Sequence, residues 1–97
     1  MIDPHPKLIA ALVARAGGEG EVLQACSRPW ASATFVGARH AIRMLLSEAA
    51  ADRLCEGLEE HEFAIPRHLV ADVAVVNRDD TNGITTLEIE ALTIEAT

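Results

Sequence analysis

Apolar residues recur at Leu8, Ile9, Leu12, Val13 and Ala16, a spacing that draws one stripe along a helix. Lys7, Ala11 and Arg15 take the outer side. Proline suits the first helical position and glycine the position just past the end. A helix is therefore predicted from near Pro6 to just before Gly17-Gly18. The period then shortens to two. Residues 30–46, WASATFVGARHAIRMLL, alternate as a β-hairpin does. With Gly37-Ala38 as a two-residue turn, Phe35 faces His40, Ala33 faces Ile42 and Ala31 faces Met44 on one side. The other side pairs Val36 with Arg39, Thr34 with Ala41, Ser32 with Arg43 and Trp30 with Leu45. One face is mostly apolar and the other carries hydroxyls and guanidiniums, and a one-residue slip would scramble both. Residues 19–28 stay open between a short strand, a helical turn and a packed connection.

The second half repeats this order. Ser47-Glu48 is a helix start, with a capping hydroxyl and an acid at the positive end of the dipole. Ala51, Leu54, Cys55 and Leu58 form the apolar stripe, and the end is expected to fray about His61. Phe63 and Ile65 should tuck beneath the sheet before Pro66. Residues 69–76 read as a third strand, with Leu69, Ala71, Val73 and Val75 on one face and Asp72 interrupting the other. Residues 77–83 read as a polar loop with Asn82-Gly83 as its turn. Residues 85–94 read as a fourth strand, with Leu87 and Ile89 alternating against Glu88 and Glu90. A bulge at Ala91 would return Leu92 and Ile94 to the core and leave Thr93 and Glu95 outside.

The resulting α-β-β-α-β-β order is a circular permutation of the ferredoxin-like β-α-β-β-α-β plan. It predicts a single α+β domain over residues 1–97, with two helices packed on one face of a four-stranded antiparallel sheet. A right-handed crossover from strand 2 to strand 3 leaves one slot between them. Strand 4 fills it, giving the spatial order 1-2-4-3. Arg39 and Arg43 of strand 2 then lie beside Glu88 and Glu90 of strand 4 on the uncovered face. Ser32 and Thr34 flank them on one side and Asp72 on the other, with Trp30, Val36 and Leu45 as apolar margins.

Composition narrows what such a face can do. Ninety-seven residues with 49% apolar content can fill a core without metal or disulfide, and that core must be aliphatic because only Trp30, Phe35 and Phe63 are aromatic. Fifteen acidic against eight basic residues give a formal charge of −7, which disfavours nucleic acid and anionic membranes. Single-strand RNA reading is further disfavoured, since the open face offers one aromatic residue among three carboxylates. Cys26 and Cys55 have no CxxC spacing and read as small buried hydrophobes in a reducing compartment. Lys7, the apolar run 8–14 and Ala14-Arg15-Ala16 resemble a weak leader, but the same residues make a good amphipathic helix. A cytoplasmic location is the expectation.

Motifs for chemistry are weak. The four histidines lack the helical spacing of a zinc site, so no metal is implied. His40 falls on the core face as a packed rim residue; His5 and His68 lie at element starts, and His61 sits near a helix C-terminus. The loop around Asp80 and Asn82 fails as a calcium loop, because Arg78 and Ile89 take ligand positions. Gly17-Gly18-Glu19-Gly20 follows a helix and lacks a P-loop lysine. No cofactor is implied. The expectation is a non-catalytic protein-interaction or homo-oligomerising module acting through Trp30, Ser32, Thr34, Arg39, Arg43, Asp72, Glu88 and Glu90. The alternative is a binder of small anionic ligands, or an enzyme, with a pocket at a dimer interface. There Arg39 and Arg43 would hold the anion and Glu88 or Glu90 would serve as base.

Overall fold

The computed structural model describes residues 3–96. Helix α1 (Pro4–Arg15) starts two residues earlier than expected, because Asp3 caps it by accepting from the His5 amide at 3.0 Å. Strands β1 (Glu21–Ala31) and β2 (Val36–Ser47) follow, then α2 (Glu48–Cys55), β3 (His68–Thr81) and β4 (Ile84–Glu95). The strands form one antiparallel sheet in the order β1-β2-β4-β3, with both helices on one side. Leu8, Leu12 and Ala16 join Ala50, Ala51 and Leu54 over Ile42, Met44, Leu46, Leu87 and Ile89, and this cluster is the core.

The β1–β2 hairpin differs from its predicted register. Ala31 faces Val36, Trp30 faces Gly37, Arg28 faces Arg39 and Cys26 faces Ala41. The turn spans residues 32–35, where the Ser32 amide donates to the Phe35 carbonyl at 2.8 Å and the Ser32 hydroxyl accepts from the Phe35 amide at 3.1 Å. Residues 19–28, left open in sequence, supply most of β1. Gly37 is a strand residue for a steric reason: a Cβ built there would lie 1.8 Å from the Thr93 carbonyl oxygen. Close approach of β2 to β4 selects glycine here, and no turn does.

Strand β3 runs on through the expected polar loop to Thr81, and Asn82-Gly83 alone makes the turn. Both have positive φ, 53° and 77°, as a type I′ hairpin turn demands. A ladder shift at Ala71 moves Leu69 off the core face that Val73 occupies, so Leu69 is exposed. In β4 the expected bulge at Ala91 is absent. Alternation continues, so Ala91 and Thr93 are buried while Leu92 and Ile94 turn to the other face. Cys26, expected inside, is exposed on β1, and Cys55 is half-buried; both are free thiols.

Two arginines tie the helices together. Arg15 of α1 donates to the Leu54 carbonyl at 3.1 Å and also to the Glu56 carbonyl. Arg53 of α2 donates to the Ala16 carbonyl at 3.0 Å. Each helix thus satisfies the orphan carbonyls at the other's C-terminus with a cation, where the dipole favours one.

The helices are too short for the sheet. Helices of 12 and 8 residues reach roughly 18 and 12 Å, against about 36–48 Å for strands of 11 to 14 residues. The helix layer covers β2, β4 and part of β3, whereas every residue of β1 except Trp30 is exposed. Among the described residues, nothing covers the opposite sheet face.

Candidate functional site

Strand pairing lays out the bare face as rows that run from β1 through β2 and β4 to β3. The first row is Trp30, Gly37, Ile94 and Leu69. The second is Arg28, Arg39, Leu92 and Asp72; the third is Cys26, Ala41, Glu90 and Ala74. The fourth is Gln24, Arg43, Glu88 and Asn77. Leu45 with Glu21 on one side, and Thr86 with Asp79 on the other, closes the face.

Of the residues singled out in sequence, Trp30, Arg39, Arg43, Asp72, Glu88 and Glu90 share this surface. Ser32 and Thr34 do not: both sit in the β1–β2 turn, where the Ser32 hydroxyl is occupied by backbone amides. Val36 falls on the parity of His40, so it is no margin of this face. Sequence reasoning missed Arg28 and Cys26, whose strand was unassigned.

The charges on this face are loosely engaged. Arg43 Nε lies 4.0 Å from Glu88 Oε1, both half-exposed, a separation at which an ion pair contributes little. The Arg39 guanidinium lies 6.0 Å from the centre of the Trp30 ring. Arg28 and Arg39 oppose each other directly, which is unfavourable for like charges. Among the described residues neither has a carboxylate within salt-bridge distance. Because Cys26 and Ala41 are small, a groove of about 230 Å³ opens beside Arg43, Glu88 and Glu90. A second hollow of about 170 Å³, sharing Cys26, Ala41 and Glu90, lies against Arg28, Arg39 and Asp72. Such a groove has the chemistry to accept a carboxylate or another charged side chain.

A second cluster lies on the helix side. His40, 2% exposed, stacks on His5 with ring centroids 5.1 Å apart and Nδ1 atoms 2.8 Å apart. Its Nε2 lies 2.8 Å from the Thr93 hydroxyl, which reaches the Ala38 carbonyl at 3.4 Å. The consistent assignment has Thr93 donating to Ala38, His40 Nε2–H donating to Thr93, and His5 Nδ1–H donating to bare His40 Nδ1. A proton on His40 Nδ1 would meet that of His5. Burial, chiefly, together with His5 and His68 holds the His40 pKa below its ordinary 6.5, against the opposing pull of Asp3. The unfolded chain therefore binds a proton that the fold refuses, and stability falls as pH drops below about 6.5 toward the lowered folded value. Urea unfolding at pH 7 and at pH 5 should show that loss, and His40→Gln should shrink it.

Among the described residues, no helix is long and apolar enough to cross a membrane, and no group of His, Cys, Asp and Glu is arranged to hold a metal. No protein-family model, curated protein or solved structure significantly matches this chain. The functional reading therefore rests on the geometry alone.

Proposed function

We propose that this protein is a small non-catalytic association module that assembles with its own kind through the bare sheet face. The observation that supports the reading is a four-stranded sheet with both helices on one side, so that among the described residues nothing covers its other face. That face carries Trp30, Leu92, Ile94 and exposed Leu69 at one end, beside Arg28 and Arg39, which among the described residues lack carboxylate partners. A solvated sheet face normally alternates to polar side chains. This one keeps apolar residues on its central strand.

Sheets that pack face to face lie about 10 Å apart and interdigitate their side chains. The groove over Ala41 and Cys26 is a recess of the kind such packing fills. In a cytoplasmic setting the acidic surface elsewhere would keep the assembly closed and soluble.

Trp30→Ala and Arg43→Glu test this reading, because both side chains are remote from the buried core. Each is expected to leave the melting temperature of the dissociated chain within a few degrees of wild type. Each should weaken self-association by about tenfold or more, read by light scattering across a dilution series. Unchanged assembly in both variants would remove the bare face as the contact.

A further inference from the structure

The charges of the bare face are sorted by strand. The β1–β2 half carries Arg28, Arg39 and Arg43, with Glu21 at its far margin. The β4–β3 half carries Glu88, Glu90, Asp72 and Asp79 and no base. This division lies across the strands, and it decides how two copies can meet.

Resting on the self-association reading, we propose that two copies pair face to face about a two-fold axis parallel to the strands, between β2 and β4. That rotation lays the basic half of each copy over the acidic half of the other. An in-plane axis at right angles to the strands would set β1 over β1 and β2 over β2, bringing arginine onto arginine. An axis normal to the sheet gives edge contacts and leaves the face bare. Isologous closure is the commonest way for a chain to bury such a surface.

The chosen axis keeps each row over the same row of the second copy. Arg28 then meets Asp72 of the other copy, and Arg43 meets its Glu88. Trp30 meets Leu69, Ile94 lies over Gly37, and Glu90 enters the groove floored by Cys26 and Ala41, beside Arg39 and Arg43. In most rows apolar lands on apolar and cation on anion; the exceptions are Arg39, which faces Leu92, and the far margin, where Glu21 faces Asp79. The usual rotation between packed sheets, about 30°, shifts the outer rows and leaves the central ones in register. The like-charge contact of Arg28 with Arg39 is relieved by a carboxylate that its own subunit does not bring to it.

Arg28 and Asp72 allow a clean test because they stand on opposite edge strands. Three strand spacings separate their backbones within one copy, about 14 Å, and among the described residues no salt bridge joins them. Arg28→Asp and Asp72→Arg are each expected to weaken the dimer by about tenfold or more, since each places like charges across the interface twice. Mixing the two variants should restore a heterodimer of near wild-type affinity, in which one contact is the native pair, the other its charge reversal, and both are opposite in sign. Circular dichroism of each variant confirms that the fold is intact. A dimeric wild type whose variants are not rescued by mixing overturns the axis and leaves the self-association reading standing. A wild type that stays monomeric overturns both.

Discussion

Replacing Gly37 with alanine is expected to lower the unfolding free energy by about 3 kcal/mol, at the upper end of the cost of forcing one extra carbon into a packed site. The obstacle is backbone: the new Cβ would stand 1.8 Å from the Thr93 carbonyl oxygen and 3.0 Å from the Ile94 Cα. A flexible side chain could move aside, but a carbonyl in the β2–β4 ladder cannot move without pulling the ladder apart. Gly37 pairs with Ile94 on these two central strands, so the strain falls on the joint between the sheet's halves. For a domain of this size, 3 kcal/mol corresponds to a melting temperature lower by roughly 15 °C. A fall of only a few degrees would mean that β2 and β4 are further apart than the structure places them. By contrast, Gly18 and Gly57 have open space around them, and alanine there meets only the torsional cost of positive φ.

The second large effect separates two leucines of one strand. Leu87 and Leu92 both lie on β4, five residues apart, and therefore on opposite faces. Leu87 is fully buried in the core cluster beside Met44 and Ile89, so Leu87→Ala should destabilise the fold by about 2–5 kcal/mol. Leu92 is only partly buried, on the bare face between Arg39 and Asp72. Leu92→Ala should cost well under half as much in stability of the dissociated chain, yet weaken self-association. Urea titration paired with light scattering distinguishes the two. A core-sized loss at Leu92 would put it inside, as the hydrophobic pattern alone suggests.

That contrast marks where the sequence stops being legible. Alternation from Arg39 to Leu46 assigns the faces of β2 correctly, because one side is unbroken His, Ile, Met and Leu and the other carries both arginines. The helix caps at Asp3 and Ser47 follow local hydrogen bonding, and of these Ser47 was readable. The order β1-β2-β4-β3 follows from connection lengths and crossover chirality, which a single chain displays. By contrast, the turn at residues 32–35 was hidden by Gly37. A glycine required for close approach looks the same in sequence as one required for a turn. Thr93 misled in the opposite direction: it is buried because His40 satisfies its hydroxyl, and hydrophobicity cannot register a buried polar pair. Leu92 and Ile94 misled because they are apolar on a face with no helix. On the present account that is the mark of a contact surface.

The site was readable to the same depth. Six residues expected on the bare face are there: five lie on strands correctly ordered and phased, and Trp30 keeps its face because the hairpin's register shift preserves parity. Ser32 and Thr34 were misplaced by the register error alone. Arg28 and Cys26 were missed because residues 19–28 mix apolar and polar positions around a bulge at Leu23. The His5–His40 contact joins residues 35 apart and depends on how α1 seats against β2, which no local pattern encodes.

The central claim is that the bare face is covered by a second copy, and absolute mass in solution tests it most directly. Size-exclusion chromatography with light scattering, run over a dilution series of the wild-type chain, should give a species of twice the 10.4 kDa chain mass that dissociates only on strong dilution. A mass of 10.4 kDa at every concentration would contradict the claim.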